Sequence, residues 1–262
     1  MKTIINWKVF LILWIAAIAA TLLVLPYAIA MLPPAILVKI QIPLPTLIIA
    51  QTLQILMLFA VAVFGGLFFA GRVGLTTPIL NSIIRGESAA DKVRAILPIS
   101  VVLGVLSTLV LLGFEFLYFQ PAAAKELGNA ATALNLQTGQ PAAWKGFLAS
   151  FYGGIAEEIQ LRLFAMSFFM WLGRFISKTS DGKPTSIVFW IANILAAILF
   201  GLGHLPMTSL LVPITPLIIT RAVVLNGLIG IVCGWLFWKR GLESAMIAHF
   251  SADLILHVLL AL

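Results

Sequence analysis

Residues 146–172 read GFLASFYGGIAEEIQLRLFAMSFFMWL, an apolar stretch long enough to cross a bilayer as one helix. Inside this stretch, Glu157, Glu158 and Arg162 fall within six consecutive positions. An ionisable group at membrane depth costs roughly 3 kcal/mol or more unless it is paired or hydrated, so such groups usually mark a functional site. We therefore expect the chemistry of this protein to lie on this helix.

The composition of the whole chain is typical of a polytopic membrane protein. Of its 262 residues, 62% are hydrophobic and 10% are charged, whereas about a quarter are charged in soluble proteins. The net charge of +7 is distributed between apolar stretches rather than on one soluble face, so no nucleic-acid partner is expected. Cys233 is the single cysteine, which excludes a disulfide framework and a thiolate zinc cage.

Seven apolar stretches are close to the roughly 20 residues that a membrane helix needs. They lie at 7–30, 46–70, 96–119, 146–172, 186–204, 213–238 and 242–262. We predict an all-α, polytopic membrane helical bundle of about seven transmembrane helices. Pro206, Pro213 and Pro216 interrupt the run from Leu205 to Trp238, which allows an eighth, re-entrant piece. The first stretch exceeds the roughly 7 to 15 residues of a signal-peptide core, so we expect it to remain as a span.

The basic residues between these stretches predict an orientation. Eleven lie on one side of the predicted spans, and three, Lys39, Lys125 and Lys145, lie on the other. Positive residues favour cytoplasmic loops. We therefore expect an integral protein of a prokaryotic plasma membrane with its N-terminus in the cytoplasm.

The two adjacent glutamates are expected to have different roles. An α-helix advances about 100° per residue, so Glu158 and Arg162 lie on one face and can form a buried ion pair. Glu157 points about 100° away from Glu158, toward another helix and without a local partner. A carboxylate in that position suits a general base.

Two later stretches each carry a pair of notable side chains at a spacing of four, and each pair includes a histidine. Phe200 and His204 share one helical face, and His249 and Asp253 share another. Glu157, His204, His249 and Asp253 thus come from three helices and can converge. On the predicted spans these residues lie at different depths, so the helices must tilt or the 200–216 region must re-enter for them to meet.

This set of side chains suits hydrolysis of an amide bond. A carboxylate and an imidazole can deprotonate a water, while a second imidazole and another polar group donate hydrogen bonds to the oxyanion. Alternatively, Glu157, His204 and His249 can hold a zinc ion whose bound water is the nucleophile. A transporter is the competing class, in which the same residues form a proton or cation pathway.

Three motifs occur in order: Glu157-Glu158-x-x-x-Arg162, Phe200-x-x-x-His204 and His249-x-x-x-Asp253. Together they resemble the EExxxR, FxxxH and HxxxN/B motifs of the CPBP intramembrane peptidases, a family of type II CAAX prenyl endopeptidases and bacteriocin-processing or immunity proteins. The resemblance covers about residues 140 to 262. It implies one membrane domain, 1–262, with N-terminal spans at 1–140 and a catalytic core at 141–262.

The resemblance implies that Glu157 activates the catalytic water with His204, and that His249 and position 253 form an oxyanion hole. The prenyl endopeptidases carry Asn where this chain has Asp253, and Asp donates to an oxyanion only when it is protonated. No cofactor is required in the favoured, glutamate-type mechanism; zinc is the alternative.

Supporting roles are implied for Glu158, Arg162 and Phe200. The expected partners are membrane lipids and a substrate that is a peptide or a lipid-anchored protein, processed either as a CAAX protein or in a bacteriocin or immunity pathway. Other polar groups within the spans are expected to be structural. Glu115 and Arg221 are predicted to be paired or snorkelling, and His257 is predicted to lie near the membrane interface rather than at the site.

Overall fold

The structure, a computed structural model, describes residues 5–33, 43–136 and 140–262, and over these residues the chain is helical with no β-strand. We number eight helices within this part of the chain. They are α1 (Trp7–Met31), α2 (Leu44–Val73), α3 (Pro78–Ile84), α4 (Ala90–Leu134), α5 (143–173), α6 (Ser186–Thr208), α7 (Pro216–Arg240) and α8 (Leu242–Ala261). Helix α1 breaks at Val24 and α6 breaks at His204, each two residues before a proline.

Six of these helices are long and apolar enough to cross a membrane: α1, α2 from Ile49, α4, α6, α7 and α8. The predicted class, an all-α integral membrane protein, is therefore confirmed, and the predicted number of about seven spans is approximate. The stretch 146–172 forms α5. This helix is not among the six, and it differs from them in carrying two glutamates and an arginine in its apolar stretch. The predicted sixth span, 213–238, begins at Pro216, where Thr215 Oγ1 accepts a hydrogen bond from the Ile218 amide at 3.3 Å and caps α7.

Small residues bring helices α4 and α8 into close contact. A Cβ at Gly104 would overlap the carbonyl oxygen of Ala248, so only glycine allows this approach. One turn away, the hydroxyls of Ser100 and Ser244 share a hydrogen bond of 2.7 Å. Membrane helices associate through such small residues and hydrogen bonds, because lipid provides no hydrophobic driving force. The contact fixes α8, the helix that carries His249, against α4.

The connections between helices meet at two opposite ends of the bundle. At one end, Arg174 donates to the Arg72 carbonyl at 3.0 Å and Leu242 N–H donates to the Thr76 carbonyl at 3.1 Å. We call this the basic end. The other end contains the last turns of α1, α4, α6 and α8 and the first turns of α5 and α7.

Candidate active site

Helix α5 departs from α-helical geometry where it carries the two glutamates. Residues Tyr152–Glu157 and Ile159–Met166 are π-helical, a rare winding with i→i+5 hydrogen bonds that often occurs at functional sites. The regular 100° rotation that we assumed from the sequence therefore does not hold here. The predicted ion pair is nevertheless present, because Arg162 Nε lies 3.4 Å from Glu158 Oε2 with both side chains buried.

Glu158 also orients His249, a contact that the sequence did not predict. The Glu158 carboxylate accepts a hydrogen bond from His249 Nδ1 at 2.7 Å. A carboxylate can only accept, so Nδ1 carries the hydrogen and Nε2 is left for other partners. His249 Nε2 lies 3.6 Å from Glu157 Oε2 and 3.7 Å from Asp253 Oδ1. Glu157, expected to have no partner on its own helix, therefore faces an imidazole of α8.

His204 is held by the backbone of its own helix. Its Nδ1 lies 2.8 Å from the Phe200 carbonyl oxygen. Because a carbonyl can only accept, Nδ1 carries the hydrogen, and the neutral ring has its lone pair on Nε2. Nε2 is thus the ring atom that can take up a proton or bind a metal ion.

Phe200 separates the two histidines and contacts both of them. Its ring centroid lies 5.0 Å from that of His204 and 5.3 Å from that of His249, in both cases edge to face. The Arg162 guanidinium carbon lies 4.9 Å from the same ring. The supporting residue predicted at position 200 therefore packs against members of all three motifs.

One cavity of about 400 Å³ is lined by all four predicted catalytic residues, Glu157, His204, His249 and Asp253. The predicted difference in their depth is therefore wrong. Its cause is the end of α6, which continues to Thr208 rather than stopping at position 204. His204 consequently lies about one helical turn inside the end of α6, where it reaches the cavity.

His257 lines the same cavity, so the prediction that it lies away from the site is wrong. Its Nε2 lies 4.0 Å from Asp253 Oδ1, and its Nδ1 lies 3.0 Å from the Tyr27 hydroxyl. That hydroxyl donates to Gln140 Oε1 at 3.2 Å, and Gln140 Nε2 donates to the Leu256 carbonyl at 2.8 Å. No pattern in the sequence indicated Tyr27 or Gln140, and for His257 the only signal was its spacing of four from Asp253.

Gly153 is a further residue of the site that sequence reasoning missed. A Cβ at this position would overlap Asp253 Oδ2 and would lie 3.1 Å from His249 Nε2. Only glycine therefore allows the Asp253 carboxyl to lie against α5. The one available signal was the Gly153-Gly154 pair that precedes the glutamates.

One group of three potential metal ligands has its ligand atoms within 4.8 Å of one another in the described part of the chain: Glu158, Cys233 and His249. This group fits a metal ion poorly. Glu158 Oε1 and His249 Nδ1 are already joined by their 2.7 Å hydrogen bond. The Arg162 cation beside Glu158 would also repel a divalent ion.

The metal ligands predicted from the sequence are a different set, Glu157, His204 and His249. Glu157 Oε2 and His249 Nε2 are 3.6 Å apart, a separation that two ligands at about 2.1 Å from one zinc ion can adopt. His204 Nε2 is available on the same cavity. The donor types of this set suit zinc, but its three ligand atoms do not all lie within 4.8 Å of one another as those of Glu158, Cys233 and His249 do.

Glu115 and Arg221 are paired with each other, which is one of the two alternatives, pairing or snorkelling, that the sequence left open. Arg221 Nη2 and Nε donate to the two Glu115 oxygens at 2.7 and 2.8 Å. Such a two-point contact is geometrically specific. Arg221 lines the cavity as well, so the pair joins α4 to α7 in its wall.

Comparison with known protein families gives one match. Residues 139–255 match the profile described as type II CAAX prenyl endopeptidase Rce1-like. This segment is just under half of the chain, and it contains all three motifs. No curated protein and no solved structure matches the chain. The chain is therefore an integral membrane protein whose residues 139–255 match the Rce1-like type II CAAX prenyl endopeptidase family, in agreement with the motif resemblance.

Proposed function

We propose that this protein is an intramembrane endopeptidase in which Glu157 and His204 activate one water for attack on a peptide carbonyl. The observation that supports this most is the convergence of Glu157, His204 and His249, from three separate helices, on one cavity. Three ionisable groups at membrane depth are costly unless they are used together. The family match supports proteolysis as the activity, and the geometry supports these three side chains as the catalytic residues.

In the proposed reaction, Glu157 removes a proton from the water while His204 Nε2 accepts a hydrogen bond from it. The resulting hydroxide adds to the carbonyl carbon of the substrate, and the carbonyl oxygen becomes an oxyanion. Collapse of this intermediate breaks the C–N bond, and Glu157 returns its proton to the leaving nitrogen. General acid–base catalysis of this kind contributes about 10²- to 10⁴-fold.

We assign the stabilisation of the oxyanion to His249 and Asp253. A His249 ring that carries hydrogen on both nitrogens can donate from Nε2 while Glu158 holds Nδ1. Asp253 can supply a second donor in its protonated form. Its position beside His249 Nε2, at 3.7 Å, supports a joint role for the two residues.

We propose that the substrate is a membrane-associated peptide or a lipid-anchored protein. Apart from the catalytic groups, much of the cavity wall is apolar and includes Val24, Leu111 and Leu225. Such a wall suits hydrophobic side chains next to the scissile bond. Cleavage of matched farnesylated and unmodified peptides in proteoliposomes would show whether a prenyl group is required.

His204→Ala is expected to lower the rate of peptide cleavage in proteoliposomes by about 10²-fold or more, because the activating lone pair on Nε2 is lost. The rate is measured by mass spectrometry of the released fragment. His204→Ala protein with the wild-type rate would contradict the proposal. Solute or ion flux that depends on His204, with no peptide product, would instead identify a transporter.

Gly153→Ala is expected to lower cleavage by about 100-fold, because displacing catalytic groups by about 1 Å has effects of this size. Gly113→Ala is the matched control, since a Cβ there meets no atom within 4 Å. Thermal unfolding in detergent shows whether both variants remain folded. A folded Gly153→Ala protein with the wild-type rate would show that the close approach of Asp253 is not needed.

Metal dependence is decided by elemental analysis of the purified protein, with cleavage measured before and after chelation. The glutamate-type mechanism predicts full activity without stoichiometric metal. Activity that is lost on chelation and restored by zinc would assign Glu157, His204 and His249 as ligands.

A further inference from the structure

The candidate active site lies at the end of the bundle opposite the basic end. Described residues that line the cavity include Tyr27, Met31, Gln140, Met207, Leu211 and His257. These belong to the last turns of α1, α6 and α8 and to the connections that follow α4 and α6. The cavity therefore faces the described residues of these connections, including Leu136, Gln140 and Leu211.

Hydrogen bonds between the connections identify the opposite end independently of charge. Besides the contacts of Arg174 and Leu242, Leu80 N–H donates to Glu243 Oε1 at 2.9 Å, which joins α3 to the start of α8. Gly74 lies against the Lys183 side chain. The chain segments around residues 72–80, 174–183 and 240–243 thus form one surface.

The basic residues divide unequally between these two ends. In the described part of the chain, the basic end carries Lys8, Arg72, Arg85, Lys92, Arg94, Arg174, Lys178, Lys183, Lys239 and Arg240. The cavity end carries Lys125 and Lys145 outside the cavity wall. Short loops rich in Lys and Arg stay in the cytoplasm, and acidic neighbours contribute little to this preference. Arg85 is paired with Glu87 at 2.7 Å, but this acidic neighbour does not weaken the preference of the basic end for the cytoplasm.

We propose that the active-site cavity opens on the extracytoplasmic side of the membrane. The substrate is then a hydrophobic peptide, or a membrane-anchored protein, whose scissile bond reaches the outer face. A protein tail that is presented from the cytoplasm does not fit this arrangement. The identity of the cavity as a substrate site rests on the proposed function, whereas the orientation of the bundle does not.

Cysteine labelling tests this orientation in intact cells that express the full chain. Cys233 is fully buried, so the wild-type protein is an unlabelled control. Ser209→Cys and Asn129→Cys place an exposed thiol at the cavity end, and Ser180→Cys places one at the basic end. We expect a membrane-impermeant maleimide to label the first two variants in intact cells. Ser180→Cys should be labelled only after the membrane is disrupted.

The reverse pattern, or equal labelling of the two ends in intact cells, would overturn the proposed orientation. Labelling does not require catalysis, so the two proposals fail separately. If the labelling contradicts the proposed orientation, cleavage by the purified protein is still expected. An inactive Glu157→Gln protein with the expected labelling would still support the orientation.

Discussion

Glu157→Gln protein is expected to cleave its substrate about 10³-fold more slowly than the wild type, with kcat reduced more than KM is changed. The amide has nearly the shape of the carboxyl group, but it cannot accept the proton of the attacking water. Glu157 lies 3.6 Å from His249 Nε2 at the cavity wall, so the amide has room and polar neighbours. The variant should therefore fold normally, and single-turnover cleavage in proteoliposomes measures the effect on chemistry.

Glu126→Gln is the matched control for this substitution. Glu126 is exposed and lies at the cavity end, but it is not part of the cavity wall. Its replacement should leave the cleavage rate unchanged. A Glu157→Gln protein that cleaves at the wild-type rate would exclude Glu157 as the base.

Arg162→Met protein is expected to be less stable than the wild type by about 3 to 5 kcal/mol, the usual effect of removing one partner from a buried ion pair. The substitution leaves the Glu158 carboxylate, which is fully buried, without its cation. Glu158 would then no longer hold His249 in a fixed position, so cleavage should fall as well. The free energy of unfolding in detergent, together with the cleavage rate, measures both effects.

Two further variants separate the ion pair from simple loss of a large side chain. Arg94→Met removes an exposed arginine that lies 3.5 Å from Asp91, and it should change stability by less than about 0.5 kcal/mol. Replacing both partners, as in Glu158→Gln with Arg162→Met, should destabilise less than Arg162→Met alone, because no uncompensated charge remains. Unchanged stability of Arg162→Met would contradict the role given to the pair.

The spans and the residues that meet could be predicted from the sequence because both depend on short-range patterns. Apolar length predicts a membrane helix, and a spacing of four placed Glu158 beside Arg162 on one helix. Glu115 and Arg221 were expected to be structural, either paired or snorkelling, because charges within the spans are costly, but the sequence did not indicate that they pair with each other.

Contacts between helices could not be predicted in the same way. The bond from Glu158 to His249 depends on how α5 and α8 pack and on the π-helical turns of α5, which no spacing rule anticipates. Tyr27 and Gln140 reach His257 from other elements, so one sequence holds no periodic signal for them. The depth of His204 was misjudged for a local reason, since Pro206 breaks α6 without ending it.

The central claim, that Glu157 and His204 act on the same water, is tested most directly by the Glu157→Gln/His204→Ala double variant. Residues that act as a unit have strongly non-additive effects on kcat. The double variant is therefore expected to cleave about as slowly as the slower single variant. A loss in the double variant equal to the product of the two single losses would show that the residues act independently and would contradict the shared water.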